Sequence, residues 1–284
     1  MRRRAGTAAT NSTSSAADAR RKRASSLRAL WDNVWVQRAL TWGVLLVAWE
    51  LFGRAVGPFF FPTFTSTVAS FGNLVTDGSL VTVAGSFTQM FVGYGLAILV
   101  GVPLGLLIGS SRIAEWVLGM YVKALFVTSL AALLPFVIIL VGTDFAFRVA
   151  VVFLFSIFYT IMNPAAGVRS IDPGLKEMAA AFNASKVKVF FSLTMPATLP
   201  FIMAGLRLAL GQAVQGMIIA ELWITIATGE LLTNLALARE LPEFFALTVV
   251  VVVIGAALGQ ALLWLQGRLT PWATDVRSSL GGLG

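Results

Sequence analysis

Apolar runs of about 20 residues alternate with short polar breaks along the chain, and a helix rising 1.5 Å per residue crosses a hydrocarbon layer in about that length. The first run is roughly Leu40–Val56, with Glu50 near its far end. A loop follows in which Pro58 and Pro62 mark the start and Asp77-Gly78 a turn, and TFTSTVASFGNLVT between them reads as a short interfacial helix. The second run, roughly Ser86–Ile108, carries Gly93, Gly95, Gly101 and Gly105, with Gly109 just beyond. Small residues at this density let helices approach closely in lipid, which offers no hydrophobic drive of its own.

A polar turn, Ser110–Glu115, leads into a third apolar stretch from about Trp116 to Val141. Pro135 lies inside it and predicts a kink or a broken helix, because proline lacks the amide proton and its ring crowds the preceding turn. A brief turn at Thr143–Arg148 precedes a fourth span of about Val149–Met162, which can begin a few residues earlier. The fifth is about Phe201–Leu222, a polar loop runs through Glu243, and the sixth covers about Phe244–Leu265. The pattern predicts an all-α polytopic membrane protein with about six transmembrane helices, the count turning on Trp116–Val141.

Composition agrees. The chain has 284 residues, of which 57% are hydrophobic and 12% charged, whereas a soluble domain carries about 25% charged residues. With no cysteine and no histidine, disulfides, Cys/His metal sites and thiol or imidazole catalysis are excluded.

The net charge of +8 is distributed unevenly, with nine of the 21 Lys/Arg in the first 38 residues. Nucleic-acid binding is the rival explanation of basicity, but no continuous basic surface follows from the sequence, and an anchor on the cytoplasmic side fits better. Residues 1–28, rich in Arg, Ser and Ala, read as a disordered cytoplasmic tail. A transit peptide shares that composition, but the first apolar run follows without a small-residue cleavage site and is long enough to span. Residues 29–270 form the membrane domain on this reading, and 271–284 a cytoplasmic C-terminal tail. With the N-terminus inside, sixteen basic residues face the cytoplasm and only Arg54, Arg148 and Arg239 the other side. That bias orients the protein.

The N-inside topology places one polar island, Gly167–Pro196 (GVRSIDPGLKEMAAAFNASKVKVFFSLTMP), in the cytoplasm. Asp172-Pro173 is a helix start: the carboxylate caps free N–H groups and proline suits the first turn. Leu175, Met178, Ala179 and Phe182 recur at three and four residues and so share one helix face. Asn183 or Ser185 ends the helix, Lys186 begins a second short one, and Pro196 and Pro200 bracket its return to the membrane. Periodicity alone leaves two readings level: a helix held in the headgroup region by its lysines, or one presented to a soluble partner.

A family resemblance breaks the tie. Glu177-Met178-Ala179, three residues, Asn183, nine residues, then Leu193-x-Met195-Pro196 resembles the EAA loop of bacterial ABC-importer permeases, E-A-A-x3-G-x9-I-x-L-P. Met178 replaces the first alanine and Asn183 the glycine; if that position needs positive φ, asparagine is the least costly substitute. The stretches Gly93–Gly109, Ala132–Gly142 and Met195–Glu221 are similar to the nitrate/sulfonate/taurine type of these permeases, and the likeness spans about Trp49 to Arg268. The resemblance implies a transport subunit with no catalytic site or cofactor of its own. Its implied partners are a second permease copy, two cytosolic ABC ATPases that bind ATP and magnesium, an extracytoplasmic solute-binding protein and membrane lipid. Glu177, Met178, Ala179, Phe182, Asn183 and Pro196 would then couple the permease to the ATPase. The absence of a G-x-x-x-x-G-K-[ST] run fits hydrolysis on a separate subunit. The implied cargo is a small, anionic solute such as a sulfonate, taurine, nitrate or bicarbonate, and a small heterocycle is also compatible with the likeness.

Polar side chains at membrane depth need partners or a purpose. Gln212 and Gln215, three apart, read either as interhelical hydrogen bonds or as the lining of a polar route. Glu221 closes the fifth span near the outer surface, and Gln89 adds an amide in the second. These four are the candidate translocation path. Arg207 either snorkels to headgroups or adds positive potential at the exit. The alternative function, a self-contained secondary transporter or channel, would use Glu50, Gln212 and Glu221.

Overall fold

The computed structural model describes residues 34–272, apart from a few side chains; the two predicted tails, 1–28 and all but the first two residues of 271–284, lie outside that range. Ten helical segments follow one another: α1 Val34–Val56, α2 Phe64–Thr76, α3 Ser79–Ser110, α4 Arg112–Val127, α5 Leu130–Val141, α6 Phe145–Arg169, α7 Pro173–Ala181, α8 Lys186–Ile224, α9 Ala227–Ala238 and α10 Leu241–Leu269. Five of them are long and apolar enough to cross a membrane, and α4 with α5 makes a sixth span if the bent pair counts as one. The chain divides into two compact units at Val68/Ala69.

In the first unit the chain leaving α1 folds back along it. Gly53 makes this contact possible, since a Cβ there would press on Pro62 and Thr63 backbone. The Trp49 indole donates to the Pro62 carbonyl at 3.0 Å. Glu50 accepts from the Thr65 N–H at 3.1 Å and pairs with Arg54 at 2.8 Å, so it caps the start of α2.

The second unit is built around α6, flanked by α3 on one side and α8 on the other. Gly93, Gly101, Gly105 and Gly109 of α3 meet Val149/Val152, Thr160, Ile161 and Ala165/Val168 of α6 in parallel order. Gly95, in contrast, faces open space. From α8, Gly205 sits against Tyr159 and Asn163, and Gly216 against Phe155, in antiparallel order. Hydroxyls then stitch the backbones where apolar association is weak. Thr160 donates to the Ala97 carbonyl at 2.9 Å, Ser156 to Ala209 at 3.3 Å and Tyr94 to Leu206 at 2.8 Å. The largest buried cluster joins Phe87 and Met90 of α3 to Met217 of α8, Leu232 of α9 and Leu247 of α10.

Three expectations need correction. The third span is broken, but at Thr128–Ser129 rather than at Pro135, and α4 and α5 meet at 106°. Thr128 Oγ1 donates to Ala124, and both Thr128 and Ser129 are extended, which ends α4. Pro135 then lies inside α5, with the carbonyl it cannot serve, that of Ala131, in the first turn.

The second correction concerns Lys186, where no separate short helix ends before the membrane. α8 runs unbroken for 39 residues, about 58 Å against a hydrocarbon layer of about 30 Å. Pro196 is accommodated by a wider π turn over Phe190–Thr194, in which the Met195 N–H reaches the Phe190 carbonyl.

Third, the loop expected before Glu243 contains α9. Leu231, Leu232 and Leu235 turn one face of it onto the core, a helical spacing hidden among polar neighbours.

Candidate functional site: a coupling helix and a cavity at a broken span

Parallel packing of α3 on α6 and antiparallel packing of α6 on α8 put the ends of α3 and α6 at the start of α8, beside the polar island. The helix α7 stands there with little cover. Asp172 Oδ1 accepts from the Gly174 N–H at 2.8 Å, which starts it. At its other end Asn183 lies in the left-handed region at φ 52°, and the Ala184 N–H donates to the Ala179 carbonyl at 3.1 Å. A bond spanning five residues behind a left-handed residue is a Schellman closure. Asparagine tolerates that backbone where the EAA pattern has glycine. Ser185 then caps the next helix, accepting from the Lys188 N–H at 3.3 Å.

The apolar face of α7 is turned outward. Leu175 and Met178 are exposed and Phe182 is 80% accessible, while Glu177 is exposed beside them and Ala179 half-buried. Pro196 lies ten residues into α8 and is half-buried. At the same end Arg169 pairs with Glu115 at 2.6 Å, tying α6 to a π turn in α4.

Halfway along the membrane helices the break at Thr128–Ser129 opens a cavity of about 290 Å³. Gln212 and Gln215 of α8, Tyr159 of α6 and the two break residues supply its polar lining, with Phe126, Phe155 and Phe158 among the apolar walls. No charged side chain lines it. The other two candidate path residues are elsewhere. Gln89 is buried, its Nε2 donating to the Gly85 carbonyl at 3.4 Å, and Glu221 is wholly buried near the end of α8. The structure therefore brings together Gln212 and Gln215, adds Thr128, Ser129 and Tyr159, and leaves Gln89 and Glu221 apart. Sequence reading missed the break residues because a Thr-Ser pair is a weak helix-ending signal inside an apolar run.

Residues 101–275 match the family described as binding-protein-dependent transport system inner membrane component, which is more than half of the chain. The chain belongs to that family. A probable ABC transporter permease protein of Brucella melitensis is 27% identical over 235 residues, covering 82% of this chain and 95% of its own length. The nitrate import permease protein of Synechocystis sp. is 23% identical over 263 residues, covering 88% and 95%. The taurine transport system permease protein of Escherichia coli is 27% identical over 204 residues, covering 68% and 71%. The chain is accordingly a multi-pass protein of the bacterial inner membrane and an ABC-type permease subunit. Among the described residues no group of three acidic side chains forms a metal site.

Proposed function

We propose that this permease forms the translocation path of an ATP-driven importer for a small anion of the nitrate or sulfonate kind, handed over by an extracytoplasmic binding protein. Two copies of the chain pair with each other, and two cytosolic ATPases, which hold ATP and magnesium, dock on α7. The observation that carries the reading is the outward apolar face of α7. Burying one large apolar side chain is worth about 1.5–3 kcal/mol, yet Leu175, Met178 and Phe182 leave theirs to solvent. Glu177 beside them supplies a charge for a basic group on the ATPase. Asn183 closes the helix as a rigid lever, and the unbroken α8 carries its displacement into the membrane.

The cavity at the Thr128–Ser129 break is the solute's route. Transporter sites lie near the membrane midplane beside interrupted helices, and a lining of neutral amides and hydroxyls passes an anion without trapping it. The relatives named for nitrate and taurine, solutes that share an oxyanion group, support this class.

Co-expression with its ATPase and reconstitution with the binding protein tests this. ATP-dependent uptake of labelled nitrate or taurine is the expected result, lost on deletion of residues 176–185. Gradient-driven flux of the same solutes through the chain alone in liposomes would instead establish a self-contained transporter.

A further inference from the structure

At the end of the membrane domain opposite α7, four helices converge on Glu221. Its side chain is completely buried, and neither carboxylate oxygen has a hydrogen-bond partner. Ser86 of α3, the Thr228 and Gly229 N–H groups of α9 and the Arg148 charge of α6 lie around it, none of them in hydrogen-bonding geometry with it. Ser86 is bonded to the Thr228 hydroxyl at 2.8 Å instead. Arg148 is half-buried, its guanidinium 6.0 Å from the Phe145 ring, and its Nε is buried and unpaired. Gln89, one turn from Ser86 on α3, leaves its Oε1 unpaired as well.

Buried polar atoms are almost always satisfied, and leaving charged ones unpaired is costly. A buried carboxylate and a buried guanidinium nitrogen whose charge acts on it, both without a hydrogen-bond partner, can satisfy each other. The backbone around them is also held away from its preferred conformation. Thr225 and Ala227 both lie at positive φ, 50° and 51°, and threonine is a poor occupant of that region. The Glu221 carbonyl accepts from both Thr225 and Ile226 N–H groups, anchoring this corner. Gly229 lies so close that a Cβ there would collide with the Glu221 and Leu222 backbone. A strained corner fastened to an unsatisfied charge is the kind of place where a two-state element is built.

We propose that Arg148 and Glu221 form an ion-pair latch at the extracytoplasmic end of the permease, open in this structure and closed in the other end state of the transport cycle. In the closed state the start of α6 moves against the end of α8, and the guanidinium satisfies both carboxylate oxygens. Charge-assisted bidentate pairing has the directionality such a latch needs. The latch rests on the permease reading above, and it assigns Arg148 and Glu221 a positioning role with no contact to the solute.

A chain without cysteine permits clean labelling. Spin labels at Phe145→Cys and Leu222→Cys, both exposed positions, report the separation of the two helix ends in the full-length permease in lipid nanodiscs. Two distance populations are expected. Arg148→Gln and Glu221→Gln should each shift their ratio at least fivefold toward the open form, and the double variant no further than either alone, because the two remove one interaction. Arg148→Lys should restore part of the closed population. Both glutamine variants keep size and hydrogen-bonding groups, and thermal unfolding checks that they fold. Unchanged ratios, or additive effects of the two substitutions, would overturn the latch, as would a glutamine variant that only raises the unfolding temperature. Adding the ATPase with ATP separates the two readings: a non-additive pair whose ratio ATP leaves unmoved keeps the latch and removes the ATP-driven importer.

Discussion

The Thr160 hydroxyl occupies the space that Gly101 leaves open on the facing helix, where any Cβ would overlap its Oγ1. From there it donates to the Ala97 carbonyl, one turn away on α3, at 2.9 Å. A missing side chain on one helix and a hydroxyl on the other thus make a single contact. Gly101→Ala is expected to destabilise the protein by about 1–3 kcal/mol, the cost of overpacking. Gly95→Ala, which faces open space, should cost nothing and gain helix propensity. Thermal unfolding of both variants in detergent checks the pair, and equal midpoints would remove α3–α6 packing as the reason for these glycines.

Asn183 offers a backbone test. Asn183→Gly should preserve the closure of α7 and its ATPase binding, whereas Asn183→Val forces a β-branched residue into left-handed geometry at about 1–2 kcal/mol. Pull-down of the ATPase reads the result: binding retained by glycine and weakened by valine.

Phe182→Asp separates docking from folding. With the ring 80% accessible, the unfolding midpoint should stay within error. Affinity for the ATPase should fall tenfold or more, about 1.4 kcal/mol, as expected on truncating an aromatic anchor. A normal complex with normal uptake would place the ATPase contact elsewhere.

The cavity predicts a contrast among glutamines. Gln212→Leu and Gln215→Leu remove hydrogen-bonding groups worth about 0.5–1.5 kcal/mol each, so uptake should fall roughly three- to tenfold with assembly intact. Gln89→Leu, buried in helix packing, should act on the unfolding temperature instead. Uptake of radiolabelled solute in proteoliposomes, measured beside thermal unfolding, distinguishes the two behaviours.

The Arg169–Glu115 pair should matter little. Both side chains are more than a third exposed, and exposed pairs contribute about 0.2–1 kcal/mol. Glu115→Gln is therefore expected to move the unfolding midpoint only slightly, and less still at high salt.

Much of this was legible in advance because the signals are local. Apolar length marked the spans, and the Asp172-Pro173 start with Asn183 at the end framed α7. Where signals were weak or misleading, long-range packing decided. Pro135 was the loudest breaker in Trp116–Val141, yet the chain breaks at Thr128–Ser129, where two extended residues let α5 turn back against α6. The continuous α8 was hidden because Pro196 ordinarily argues for a boundary, and only the π turn at Phe190–Thr194 removes the conflict. α9 was obscured by polar residues at its solvent face.

By itself the sequence determined an all-helical membrane protein, the position of its polar island and the face that the island presents, since each depends on spacing along one segment. Tertiary structure alone decided which glycines touch α6, that Gln212 and Gln215 share a cavity with Thr128 and Tyr159 while Gln89 and Glu221 do not line it, and that the Arg148 charge acts on Glu221. Those relations join helices that lie tens of positions apart in the chain. A periodicity of 3.6 states which side a residue takes on its own helix and is silent about which helix it meets.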